Sequence, residues 1–415
     1  PQHCTTKDNL RTRQKGFKIS ELPKTFQDAV VVTRELSVQY LWVDSLCILQ
    51  DSDSDWEQES IRMEQVFASA YCTIAATSAE NSDAGFLDKP VNNQAIYVQH
   101  QPGQYTYVSA NLADFDNDVN EANINRRAWI MQERLLSPRT IHFSRNQIYG
   151  EYGKGVYAGE NIFLMCERET QHYFKLDPQF PDRLRSSSFD AILKLLQSLI
   201  EDYTQCDISV PTDRAVAISG LMLRIGKSLP CSVHHGIIEW YRHRTLLWQR
   251  SPGPKTGKTG RIKYTSSKVP SWSWMAFEWP VEFVHDKYGD LDLINGLELS
   301  TQNPTAAVEY LMATVWEFAD SGMTIEEKSD GVRHELVDTI GSKKGWINIG
   351  EEDSLPTVQC VVVVAKRKRV HVDGYLYFVL FVRPFLNQDG YERLGIGMLR
   401  KDCGLRQKVK KGYIY

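Results

Sequence analysis

A chain of 415 residues is too long for one compact core, and two or three domains are expected. With 42% hydrophobic, 24% charged and 11% aromatic residues, ten of them Trp, the composition is that of a folded soluble protein and excludes a disordered one. A net charge of −4 gives no reason to expect nucleic acid as a partner, and no apolar run is long enough to span a bilayer. The eight cysteines are scattered, with no C-x-x-C, which fits reduced thiols in the cytoplasm rather than a disulfide framework or a zinc site.

In chain order, TTKDNLRTRQKGFKISEL predicts a short polar helix, and TFQDAVVVTRELS an amphipathic one with Thr25 as its N-cap. Residues 38–43 carry Val38, Tyr40, Trp42 and Val43, bulky and β-prone, and predict a buried strand that delivers Asp44 and Ser45 at its carboxyl end. After an acidic loop, a helix is expected from about residue 55, with Ser54 and Glu57 as its capping box. Helix, strand, helix is an α/β rhythm, and it predicts a parallel sheet with covering helices. Residues 71–76 read as a strand and 95–110 as a pair of short strands. Ala128–Leu136 reads as a helix that Ser137-Pro138 ends, followed by a strand over 139–143. Residues 153–188 are the linker candidate. Phe189–Tyr203, PTDRAVAISGLMLRIG and HHGIIEWYRHRTLLW read as three helical stretches. The remainder is mostly short strands with turns. The expected domains are 1–175 (α/β), 176–250 (helical) and 251–415 (β-rich).

One residue breaks the pattern. At about 100° per residue, Trp56, Met63, Val66, Phe67 and Ala70 share one helical face, and Glu59 falls within it. A carboxylate there costs several kcal/mol unless it is paired. Glu59 is therefore either a buried partner of an Arg or of backbone, or a reactive group.

The blocks YLWVDSLCILQD, DWEQES and RAWIMQERLLSPRTIHF resemble the fungal heterokaryon-incompatibility (HET) domain, with support from AYCTIAATSAENSDAGF, DRAVAISGL and PSWSWMAF. Where that family's last block ends in Trp-Glu-Cys, this sequence reads YGEYG (149–153). The resemblance implies an intracellular protein of self/non-self recognition and regulated cell death. It also implies a distant likeness to Toll/interleukin-receptor (TIR) domains, hence a flavodoxin-like sheet. Some TIR domains cleave NAD at the nicotinamide–ribose bond through one Glu that follows a Trp at a helix start. The matching pair here is Trp56 and Glu59.

On that resemblance Glu59 is the catalytic candidate and NAD the substrate, with no other cofactor and no metal. Trp56 and Trp129 are candidates to stack on a ring of the substrate, against the alternative of core aromatics. Asp44 and Ser45 are placed to bond ribose hydroxyls, unless Asp44 caps the next turn. Arg127 or Arg134 would meet the diphosphate, unless Arg127 pairs with Glu133. Gln132 and Glu133 are further polar groups expected to face the same crevice. The alternative function is a non-catalytic signalling module that self-associates or binds another incompatibility protein. Cys47 with His142, His234-His235 and the Gly/Lys run 253–259 carry only weak signals.

Overall fold

The computed structural model describes residues 3–88, 95–101, 104–109, 114–152, 155–158, 162–164, 182–251, 260–264, 269–284, 291–294, 296–300, 309–318, 323–327, 333–349, 360–368, 375–385, 389–400, 403 and 405–415. The chain divides into two compact units. Unit 1 is Pro1–Ser186 with Cys206–Ser209 and Val216–Arg224, and unit 2 holds the rest. The run 253–259 and most of the linker candidate lie outside the described residues.

Unit 1 contains α1 (Leu10–Gln14), α2 (Lys24–Glu35), α3 (Asp44–Cys47), α4 (Asp53–Ser69), β1 (Thr73–Ala75), β2 (Ala95–Gln101), β3 (Gln104–Ser109), α5 (Ala128–Leu136), β4 (Arg139–Phe143), β5 (Ile148–Tyr152), β6 (Gly155–Ala158) and β7 (Ile162–Leu164). Strands β1, β4, β5, β6 and β7 form a sheet in that order, and β2 and β3 form the expected hairpin. The β1–β4 pair is parallel and the other three are antiparallel. Val32 of α2 packs with Phe86 and Phe143, flanked by Ala29, Leu36, Ile74 and Ile141, so the apolar stripe of α2 covers the parallel pair.

Asp28 anchors the same helix. Buried, it accepts hydrogen bonds from the backbone N–H of Phe86 (2.7 Å) and of Leu87 (3.1 Å) and pairs with Lys24 (2.5 Å). Burial opposes its ionisation, but Lys24 and the two N–H donors win and hold the carboxyl below its usual range.

Four local expectations are corrected. Helix α2 begins at Lys24 with Pro23 at the N-cap, so Thr25 lies inside it and its hydroxyl donates to Asn81 O at 3.0 Å. Residues 38–43 form no strand among the described residues, although Val43 itself is extended (φ −135°, ψ 123°), and Tyr40 is 81% exposed. A β-prone run becomes a strand only when a neighbour supplies the ladder, and none does here. Asp44 therefore opens helix α3 instead of ending a sheet strand. Helix α4 begins at Asp53 with Ser52 as N-cap, and the Ser54–Glu57 capping box does not form. Asp55 instead accepts from the N–H of Leu49 at 2.8 Å, tying the loop to the helix start. The stretch 234–248 is not one helix. It is a hairpin, a turn of 3-10 helix, a four-residue helix and a strand.

Unit 2 begins with α6 (Phe189–Gln205); α7 (Val216–Ser228) contributes its last four residues here and its first nine to unit 1. Next come the hairpin of β8 (Val233–His234) and β9 (Ile237–Ile238), helix α8 (Arg242–Thr245), and the pair β10 (Trp248–Arg250) and β11 (Val281–Phe283). A ten-stranded sheet follows. In it, β12 (Asp292–Leu293), β13 (Glu298–Ser300), β14 (Tyr310–Phe318), β15 (Thr324–Glu327), β16 (His334–Val337) and β17 (Lys343–Ile349) precede four longer strands. These are β18 (Cys360–Lys368), β19 (Tyr375–Pro384), β20 (Tyr391–Arg400) and β21 (Leu405–Ile414). The pairings β14–β18, β18–β19, β19–β20, β20–β21 and β21–β14 close a circuit, and Val363, Val379, Phe381 and Leu399 from these strands share an apolar cluster with Leu336 and Ile347. Buried Arg393 lies over the Trp248 ring and donates to the carbonyls of Leu246, Trp248 and Trp272. No helix among the described residues is long and apolar enough to cross a membrane.

The turn that launches 38–43 toward Asp44 is strained. Ser37 sits at φ 56°, while its N–H bonds Arg34 O (2.8 Å) and that of Val38 bonds Thr33 O (3.0 Å). This is the Schellman pattern, which glycine fills without a Cβ penalty. Ser37→Gly is expected to raise stability by about 1 kcal/mol, and Ser37→Val to lower it, in urea unfolding followed by Trp fluorescence. A lower midpoint for the Gly variant would refute this reading of the turn.

Candidate functional site

Helices α3, α4 and α5 bring most of the expected site residues together. The Trp56 and Trp129 rings meet edge to face, with centroids 6.3 Å apart, and fasten the start of α4 to the start of α5. Both rings keep partial solvent contact. Asp44 is exposed at the first position of α3, where its Oδ1 accepts from the N–H of Ser45 at 2.7 Å. The Ser45 hydroxyl is buried and has no hydrogen-bond partner among the described residues. Glu59 is 24% exposed and pairs with the solvent-facing Arg62 one turn later on α4, at 2.7 Å. An ion pair of that kind contributes about 1 kcal/mol or less and does not lock either group.

Glu133 is the unusual member. Its carboxylate makes no hydrogen bond or ion pair among the described residues, although Arg127 stands close enough to act on it. Burial pushes the carboxyl up to about 7, the Asp44 charge adds to the rise, and Arg127 opposes it. A carboxyl that titrates there can both give and take a proton at neutral pH. Cys47, which sequence reasoning left aside, belongs to the same cluster. Burial raises its thiol, and the Asp44 and Glu59 carboxylates raise it further, so it stays protonated. Arg127 is exposed at the N-cap of α5, whose first N–H, that of Ala128, bonds Asp207 O at 3.0 Å.

The neighbours of Glu133 bond to other elements. Gln132 is 1% exposed, its Oε1 accepting from the N–H of Leu221 at 3.1 Å, while its Nε2 is buried with no hydrogen-bond partner among the described residues. Helix α7 comes this close because residue 220 is Gly; a Cβ there would lie 2.7 Å from Cβ of Glu64. Arg134 holds Glu151 of β5 with two parallel bonds, Nε to Oε2 at 2.8 Å and Nη2 to Oε1 at 2.9 Å. His142 of β4 approaches the same Oε2 at 2.6 Å through Nε2, and its Nδ1 faces the Thr77 hydroxyl at 3.4 Å. Phe115 covers the Arg134 guanidinium at 5.4 Å. Burial resists a charge on Glu151, but Arg134 and the His142 bond prevail and hold its carboxyl at about 2. Burial and the Arg134 charge keep His142 below its usual value, against the pull of Glu151. The imidazole is thus neutral and donates from Nε2.

Glu151 and His142 were not singled out together by sequence reasoning. Their one visible signal is period-2 alternation, which points Thr140, His142, Tyr149 and Glu151 inward from two strands. No group of three or more His, Cys, Asp or Glu among the described residues could hold a metal. A cleft of about 460 Å³ beside α1, lined by His3, Asn9, Arg13 and Phe17 among others, includes none of the expected site residues.

Glu151→Gln leaves the half-buried Arg134 without a counter-charge, and a loss of about 3 kcal/mol of stability is expected at neutral pH. The sign of the pH effect follows from the lowered carboxyl. Its stabilisation is complete above the ordinary 4.5 and disappears as pH falls toward about 2. Wild type should lose that increment in acid titrations of stability and the variant should not. Parallel curves would show that the pair contributes nothing.

No curated protein and no solved structure matches this chain. One family model does, that described as Heterokaryon incompatibility protein (HET), over residues 2–133. That span runs from before α1 to Glu133 and contains Asp44, Ser45, Cys47, Trp56, Glu59, Arg127, Trp129 and Gln132. Residues 2–133, which hold helices α3 and α4 and the start of α5, are thus the part of the chain that is similar to heterokaryon-incompatibility proteins.

Proposed function

We propose that the chain is a cytoplasmic effector of heterokaryon incompatibility whose HET domain hydrolyses NAD at the nicotinamide–ribose bond. The observation that carries this reading is the convergence of Trp56, Trp129, Asp44, Glu59, Arg127 and Glu133 on three adjoining helices. Each has a role the reaction requires. The corner made by the two indoles takes the nicotinamide or adenine ring. Arg127 meets the diphosphate and Asp44 the ribose hydroxyls. Glu59 stabilises the oxocarbenium-like ribose as the glycosidic bond lengthens, as carboxylates do in glycoside chemistry. Its contact with Arg62 is weak enough to yield to a diphosphate-bearing ligand. The distant likeness to TIR domains belongs to this same proposal.

A second reading is a non-catalytic module that self-associates or binds another incompatibility protein. It draws on Tyr40, Ile61 and Tyr71, large apolar side chains exposed in unit 1. Nicotinamide release by purified full-length chain, wild type beside Glu59→Gln, separates the two. Turnover in wild type and a fall of roughly 100-fold or more in the variant are expected. Equal rates would remove Glu59 from the chemistry, and no release by either protein would leave the interaction module.

A further inference from the structure

We propose that Glu133 is the general base of the crevice, taking the proton from the water that attacks ribose C1′. The inference rests on the hydrolase reading and adds to it a second carboxylate with a separate task.

Three observations place Glu133 in this role. The first is its isolation. Gln132 bonds the N–H of Leu221, Arg134 is held by both oxygens of Glu151, and the Ser137 hydroxyl donates to Glu133 O at 2.6 Å while facing the Thr73 hydroxyl. These contacts fix the rotation and depth of α5. The one acidic side chain of that helix is then left with no bond of its own. A half-buried carboxylate without a partner is costly to keep charged.

The second is register. Glu59 follows Trp56 by three residues and Glu133 follows Trp129 by four, so each carboxylate shares a helical face with its Trp, one turn on. The Trp56–Trp129 contact joins those two faces. The third is the link through α3: the Asp44 charge at the start of that helix raises the Glu133 carboxyl, and Asp44 and Glu59 both raise the Cys47 thiol at its end. The charged groups facing Glu133 are Asp44 from α3 and Arg127 at the start of α5. Its rise to about 7 follows from that setting and matches the demand on a base at neutral pH.

The step balances without an oxidant or metal. The water oxygen bonds C1′ as the C1′–nitrogen bond breaks. The bonding pair leaves with the ring nitrogen, so the pyridinium departs as neutral nicotinamide and needs no acid. The water proton passes to Glu133 and then to solvent. NAD⁺ and water give ADP-ribose, nicotinamide and one proton. Glu59 supports the cationic ribose throughout.

The test pairs kinetics with titration on the full chain. Nicotinamide release is measured from about pH 5 to about pH 9 for wild type, Glu133→Gln and Glu133→Asp, while carbon NMR of labelled Glu carboxyls follows wild type against Glu133→Gln. For wild type, kcat/KM should rise with pH and level off above about 7, with one carboxyl titrating near that value. Glu133→Gln should lose roughly 100-fold or more in kcat together with the acidic limb, and Glu133→Asp should recover part of the rate with the limb displaced. Wild-type turnover that survives in Glu133→Gln within a few-fold, or a Glu133 carboxyl titrating in the ordinary range, overturns the inference and leaves the hydrolase reading intact. No release by wild type at any pH overturns both.

Discussion

The placing of α5 depends on the pairing of Arg134 with Glu151. It joins α5 to β5 by two parallel charge-assisted bonds, and through His142 and Thr77 it continues into β4 and the loop after β1. A buried ion pair gains little net energy over apolar packing, because desolvation offsets the Coulomb attraction. What it supplies here is orientation. Guanidinium and carboxylate planes must align, so α5 can present only one face to α3 and α4. His142 completes the set by filling a remaining acceptor site on Glu151 with a neutral donor.

On that fixed helix, adjacent residues meet opposite fates. Arg134 is satisfied in full, while Glu133 is left half-buried beside another carboxylate. The same contrast recurs at α3, where the Ser45 hydroxyl is buried without a partner among the described residues. A polar group left unsatisfied costs stability, and groups of this kind are found where reactivity or binding is favoured over stability. In unit 2 a buried charge meets backbone instead. Arg393 has its guanidinium against three carbonyls and an indole, an arrangement that orders the strands around it.

Much of unit 1 was legible where the signal is local. The stripe of α2, the limits of α5 set by Ser137-Pro138, the strand over 139–143 and the hairpin around 95–109 all follow from periodicity and turn chemistry. Residues 38–43 were misread because their composition meets every local requirement of a strand, and what they lack is a neighbour to pair with. The stretch 234–248 was misread for a related reason. His235 and Gly236, at φ 42° and 78°, turn a tight hairpin inside what looks like a helical run.

For the site, the sequence by itself determined which groups stand on which helical face. Glu59 with Trp56 and Glu133 with Trp129 are consequences of a 3.6-residue repeat, and no distant contact can change them. Only the tertiary structure decided what those groups are chemically. Glu59 borders the solvent beside Arg62, whereas Glu133 is crowded by Asp44 from another part of the chain and titrates near neutrality. Proton affinity is set by desolvation and by the charges within a few ångströms, and those neighbours are chosen by folding, not by spacing along the chain.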